Sequence, residues 1–285
     1  IPSLDLSNYT SLTTLTINSN NLTSLNLTNT PSLVTVDASS NYNLNNLDIS
    51  SHTNLNYLKV INSGLSTLNI TNTPQLVTLN CSQNQIITLD TSTSTALETL
   101  ECQQNQITSL NLTNSTNIIS ITSYNNKLTN LQLPNGTSLT NINSFNNKLP
   151  MLDVSGVTGL VTLNIRNNLL SSLILPTTAS LLTVLSSSNK LTMLDTSIST
   201  GLNTLKLNNN LLTNLTLPNS ITLQTLEVFN NQLSSINLLP QTGLINLNIN
   251  NNNLALLDVS SNPNLQTLSC ANNQLTVLNT LSNTS

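Results

Sequence analysis

Apolar residues recur along this chain in a fixed pattern, seen cleanly in residues 97–117, LETLECQQNQITSLNLTNSTN, at Leu97, Leu100, Cys102, Ile107, Leu110 and Leu112. From Leu12 to Ser285 the sequence divides into thirteen such units, twelve of 21 residues and one, residues 33–54, of 22. Residues 1–11 read as the second half of a further unit. Each unit is two half-turns, ten residues reading LxxLxLxxNx and eleven reading LxxLxLxxxxx. Within each LxL, alternate side chains point to opposite faces of a strand, so Leu110 and Leu112 face inward and Asn111 faces water. A helix would need apolar residues at i, i+3, i+4 and i+7 over ten or more positions, and no segment offers that. The pattern predicts a solenoid, mainly parallel β with little or no α-helix, in which each coil gives one short strand to each of two faces. Corresponding strands of successive coils lie about 4.8 Å apart, so thirteen coils predict a rod on the order of 60 Å long.

The polar columns are as informative as the apolar ones. The ninth position is Asn in twelve of thirteen units: Asn20, Asn41, Asn84, Asn105, Asn126, Asn147, Asn168, Asn189, Asn210, Asn231, Asn252 and Asn273, with Ser63 the exception. An amide carries two donors and an acceptor, so this column predicts a ladder bonding each coil to its neighbour. The matching position of the second half is Ser or Thr in seven units, Thr30, Thr73, Ser94, Ser115, Thr178, Ser199 and Ser220, which predicts local hydroxyl capping.

The half-repeat LxxLxLxxN resembles the conserved segment of leucine-rich repeat proteins, and the nesting of ten and eleven residues resembles the bacterial 21-residue class known as IRREKO repeats. The resemblance covers essentially the whole chain. It implies a solenoid whose first strands line one face, in a secreted or cell-surface protein used for binding. Common members carry helices on the outer face and bend into a horseshoe. Strands of equal spacing on both faces instead imply a nearly straight rod.

An unbroken period predicts one repeat array over residues 1–285, with no internal boundary. It starts in mid-repeat and shows no polar terminal cap of the kind solenoids need, which points to a segment of a longer protein. Only 6% of residues are charged, against about 25% in ordinary soluble domains. The formal charge of −4 and six Lys and Arg argue against nucleic acid, which needs a clustered basic surface. No apolar run is long enough to insert into a membrane.

Candidate chemistry is sparse. Cys81, Cys102 and Cys270 share the inward-facing sixth column and read as small buried hydrophobes; no set of four ligands converges on them, so neither metal nor cofactor is expected. His52, the only histidine, reads as a turn residue of the 22-residue unit. Asp48, Asp90, Asp153, Asp195 and Asp258, with Asp5 before them, share an exposed column too widely spaced for a carboxylate pair or a calcium cage. No nucleophile and base are juxtaposed, so an enzyme is not expected. One irregularity stands out in the seventh column, where Tyr124, Phe145 and Arg166 occur in consecutive coils with Lys127 and Lys148 three residues on. Aromatics beside cations can grip a sugar face or a partner side chain.

The sequence therefore points to a non-enzymatic binding or adhesion module, extracellular or at a cell surface, recognising protein or glycan. An alternative is a structural spacer or a filament subunit associating end to end with itself. A remoter one is ice binding, because Thr14, Thr35, Thr78, Thr99, Thr162, Thr183, Thr204, Thr225 and Thr267 share the exposed third column. Its neighbour, the fifth column, mixes Asp37, Lys59, Glu101, Leu185 and Lys206.

Overall fold

The computed structural model describes residues 2–280. Every strand is three residues long, the pairing is parallel throughout, and no helix occurs among the described residues. The strands are short because only the central residue of each three-residue strand must point inward before the chain turns. In Thr99–Glu101 the middle Leu100 is fully buried and its neighbours are half-exposed; in Ser109–Asn111 the middle Leu110 is fully buried between two exposed residues. Each such leucine contributes about 1.5–3 kcal/mol by leaving water.

The chain forms two compact units, Ile1–Lys148 and Leu149–Ser285. In the first, the strands Thr14–Thr16, Thr35–Asp37, Tyr57–Lys59, Thr78–Asn80, Thr99–Glu101, Ser120–Thr122 and Asn141–Asn143 pair in unbroken succession. In the second, Thr162–Asn164 through Thr267–Ser269 do the same. Each unit is thus a parallel β-solenoid whose first-half strands make a continuous sheet.

The second half-turns behave differently. Their strands pair only two by two, as Ser3–Asp5 with Ser24–Asn26, Asn46–Asp48 with Thr67–Asn69, and Met151–Asp153 with Ser172–Ile174. The uniform second sheet expected from the period is therefore a series of two-stranded pieces. In the second unit the turns beyond these strands alternate in construction. After Asp153 and Asp195 the chain closes with Val157 N–H donating to Val154 O and Ser199 N–H to Thr196 O. After Ile174 and Thr216 a proline intervenes, and the closure is Thr178 N–H to Pro176 O and Ser220 N–H to Pro218 O. Proline lacks the N–H that Ser155 and Ser197, at the same position of the flanking coils, donate to Asp153 and Asp195.

The extra residue of the 22-residue coil lies between Asn41 and Leu44, where other coils need only two steps. Leu44 N–H there donates to Asn41 O and to Ser63 O. The next coil accommodates the bulge with Gly64, at φ 72°, where a Cβ would lie 2.2 Å from Tyr42 O. Only glycine fits both conditions.

Candidate functional site

The turn after each first-half strand is built from four consecutive columns. The sixth points inward; the seventh points outward; the eighth adopts left-handed backbone, for example Gln104 (58°), Asn125 (54°) and Asn146 (53°); the ninth is the ladder asparagine. Asparagine tolerates that backbone better than most residues, and its frequency in the eighth column was the sequence signal for this geometry.

The ninth-column amides bridge coils. Asn126 Nδ2 donates to Ser123 O of its own coil (3.1 Å) and to Cys102 O of the preceding one (3.0 Å), while its Oδ1 accepts Ile107 N–H of that preceding coil (2.9 Å). Asn84, Asn105, Asn147, Asn189, Asn210, Asn231 and Asn252 repeat these bonds. Asn20 and Asn273 are half-buried, the others buried. Ser63 keeps part of the arrangement, its hydroxyl lying within reach of Ala38 O and Ile61 O.

This rigid turn aims the seventh column. Tyr124 and Phe145 stack with ring centroids 4.5 Å apart and planes 9° from parallel, close to the sheet spacing. Both residues are half-buried rather than fully exposed. In the next column Asn146 Nδ2 donates to Asn125 Oδ1 (2.7 Å), an outer amide contact absent from the sequence-based expectation. Lys127 is exposed and donates to Gln106 Oε1 (3.0 Å); Lys148 is exposed. Arg166 belongs to the second compact unit, where its Nε donates to Asn164 Oδ1 (3.0 Å). Tyr124 and Phe145 are thus brought together as an aromatic face. Phe229, half-buried in the same column of the second unit, escaped the sequence reading because no aromatic flanks it.

The other candidates resolve into structural roles. His52 is buried in the second-half polar column, with Nδ1 3.1 Å from Ile49 O and Nε2 2.9 Å from Thr30 Oγ1. It stands where other coils place Ser or Thr, as do Gln241 and Asn262. Cys81 and Cys102 are buried free thiols, and burial pushes Cys81 up to about 12 and raises Cys102 as well. Cys270 is half-buried. Each aspartate of the second-half column caps a turn: Oδ1 of Asp5, Asp48, Asp90, Asp153, Asp195 and Asp258 accepts the N–H of the serine two residues on, at 2.9 Å. Asn26, Asn69 and Asn111 accept from a threonine in the same way. The Asp-x-Ser and Asn-x-Thr spacing was legible in the sequence as an Asx turn. Among the described residues no three His, Cys, Asp or Glu side chains group as a metal site, and no helix is long and apolar enough to cross a membrane.

The third-column threonines form a row in the second unit, with Thr162, Thr183, Thr204 and Thr225 in register on successive strands. The column beside it is irregular and charged, with Lys206 Nζ 2.8 Å from Glu227 Oε1.

This geometry is that of leucine-rich repeat solenoids. No known family profile matches the sequence, and no curated protein is significantly similar to it. Solved structures do match. The functional domain of InlJ from Listeria monocytogenes, which includes a cysteine ladder, is 27% identical with a TM-score of 0.70, over 97% of this chain and 57% of its own. YopM from Yersinia enterocolitica is 29% identical with a TM-score of 0.75, over 96% of this chain and 58% of its own. YopM from Yersinia pestis, a leucine-rich effector protein, is 27% identical with a TM-score of 0.65, over 96% and 84% respectively. These three structural neighbours are bacterial leucine-rich repeat proteins. The chain spans a little over half the length of the first two.

Proposed function

We propose that this chain is a non-enzymatic binding module of the nested ten-plus-eleven leucine-rich repeat class, part of a secreted or cell-surface bacterial protein, which recognises protein or glycan. The Tyr124–Phe145 stack carries the reading. Aromatic residues make up only 2% of the chain, yet two of them are stacked on one edge of a scaffold that fixes their positions through the ladder. A rigid aromatic pair offers contact area at little entropic cost, and the exposed Lys127 and Lys148, three residues on, add charge. Similarity to InlJ and YopM supports a repeat scaffold built for interaction rather than catalysis.

The test is binding of the purified chain to a glycan array and to an array of purified cell-surface proteins. A specific ligand should appear on one of them, and Tyr124→Ala with Phe145→Ala should weaken it at least about tenfold, the effect of losing two aromatic anchors. The thermal midpoint should stay nearly unchanged. A ligand whose affinity ignores both substitutions would remove the aromatic edge as the site.

A further inference from the structure

The second unit holds a cleft that the aromatic edge does not use. Strand Met151–Asp153 pairs with Ser172–Ile174 in the register Asp153↔Ile174, and Met193–Asp195 pairs forward with Asn214–Thr216. Between the two pieces lies a cavity of about 470 Å³, within the roughly 300–1,000 Å³ of ligand pockets. Ser171, Ile174, Thr192, Met193, Asp195 and Ile198 contribute to its lining.

Its chemistry follows from a change of residue types along the column. Ile174 occupies the position that Asp153 and Asp195 hold in the coils on either side, and Pro176 stands where those coils place Ser155 and Ser197. An apolar side chain is therefore flanked by a carboxylate on each side. Ile174 and Ile198 are each 49% exposed and Met193 67%, an unusual amount of uncovered apolar surface for one site. Methionine adapts its shape to what covers it. Both aspartates are held below the usual carboxylate range by hydrogen bonds from their serines and remain charged at neutral pH. No lysine or arginine lines the cleft.

We infer that this cleft docks a basic and apolar segment of a partner protein, with a lysine or arginine head at Asp195, its aliphatic stem along Met193 and Ile174, and an apolar neighbour over Ile198. Charge complementarity selects that occupant, since a long cationic side chain satisfies the carboxylate and covers the apolar floor together. A second copy of this chain offers few such side chains, six Lys and Arg in 285 residues, of which Lys59 faces Asp37, Lys206 faces Glu227 and Lys127 donates to Gln106.

The probes are three fluorescein-labelled pentapeptides, Leu-Lys-Leu-Lys-Leu, Leu-Glu-Leu-Glu-Leu and Ser-Lys-Ser-Lys-Ser, titrated by fluorescence anisotropy. Only the first should bind, and raising salt should weaken it. Asp195→Asn removes the charge and keeps the turn, because Asn26, Asn69 and Asn111 build the same turn. It should weaken binding about fivefold, the factor an exposed ion pair can carry. Asp90→Asn, in the first unit, should leave binding unchanged. Equal binding of all three peptides, no binding of the first at millimolar concentration, or equal affinity for the wild type and Asp195→Asn would overturn the assignment. Concentration-dependent dimerisation in sedimentation that Met193→Ser abolishes would also overturn it, since a second copy would then cover the cleft.

Discussion

The two halves of each coil share the same leucine spacing, yet their strands associate differently. In the first half the side-chain amide of most coils both donates and accepts, donating within its coil and to the preceding one and accepting from the preceding one, as at Asn126. In the second half the corresponding residue is usually a hydroxyl with one proton to give. Thr73 donates to Ile70 O and contacts Ser94, and Ser115 donates to Ser94 O. The first-half strands pair continuously within each unit, the second-half strands two by two. Leucine spacing is enough to define a coil. Carrying register from coil to coil depends on how many hydrogen-bonding arms each turn contributes.

Removing an arm should break this contrast most visibly in the first half. Asn126→Ala leaves Ile107 N–H and the Cys102 and Ser123 carbonyls without their amide partner, and should cost about 1–3 kcal/mol in urea unfolding. Asn126→Ser should cost less than Ala, since Ser63 already serves in this column. Gly201 sharpens the point from the side of close packing. A Cβ there would lie 1.8 Å from Ala179 O, so Gly201→Ala should cost about 1–3 kcal/mol by overpacking against backbone. Ser115→Ala, in the second half, should cost about 0.5–1.5 kcal/mol by the same unfolding assay.

The smallest effects concern protons. Serine hydrogen bonds lower the folded-state values of Asp90, Asp153 and Asp195. The stability they contribute is therefore present above the unfolded value of about 3.9 and is lost as pH falls through the folded values. Replacing all three by Asn should flatten the acid limb of a stability–pH curve while keeping the turns; an unaltered limb would assign acid sensitivity elsewhere. The thiols separate by burial. Under native conditions Cys270 should react with a thiol reagent, whereas Cys81 and Cys102, buried and held protonated, should react only on unfolding.

Most of the fold was legible because leucine columns and the Asn column repeat without ambiguity. The ladder in particular follows from amide chemistry at a fixed position. The two-by-two pairing of the second-half strands was not legible from the 21-residue period alone. Its trace is a longer rhythm, with Pro134, Pro176 and Pro218 spaced 42 residues apart, as are Met151 and Met193. The aspartate column read as a solvated face, and it is exposed, but its partner serines two residues on give it a capping role. For the candidate site, the sequence placed Tyr124 and Phe145 in one column of successive coils. It could not give their tilt and depth of burial, which depend on the left-handed eighth residue. Arg166 shares that column and belongs to the second unit.

The most direct test of unequal propagation is native-state hydrogen exchange resolved to single amides. Amides at the joint of the two halves that donate to a ladder asparagine, such as Ile107 and Leu128, should exchange slowly in coil after coil. In the second half, Ile49 N–H, which donates to Asn69 O of the next coil, should be protected. Ile70, one coil on and without that backbone bond, should exchange faster. Equal protection of Ile49 and Ile70, matching that of the ladder amides, would contradict the claim that the amide column carries register where the hydroxyl column does not.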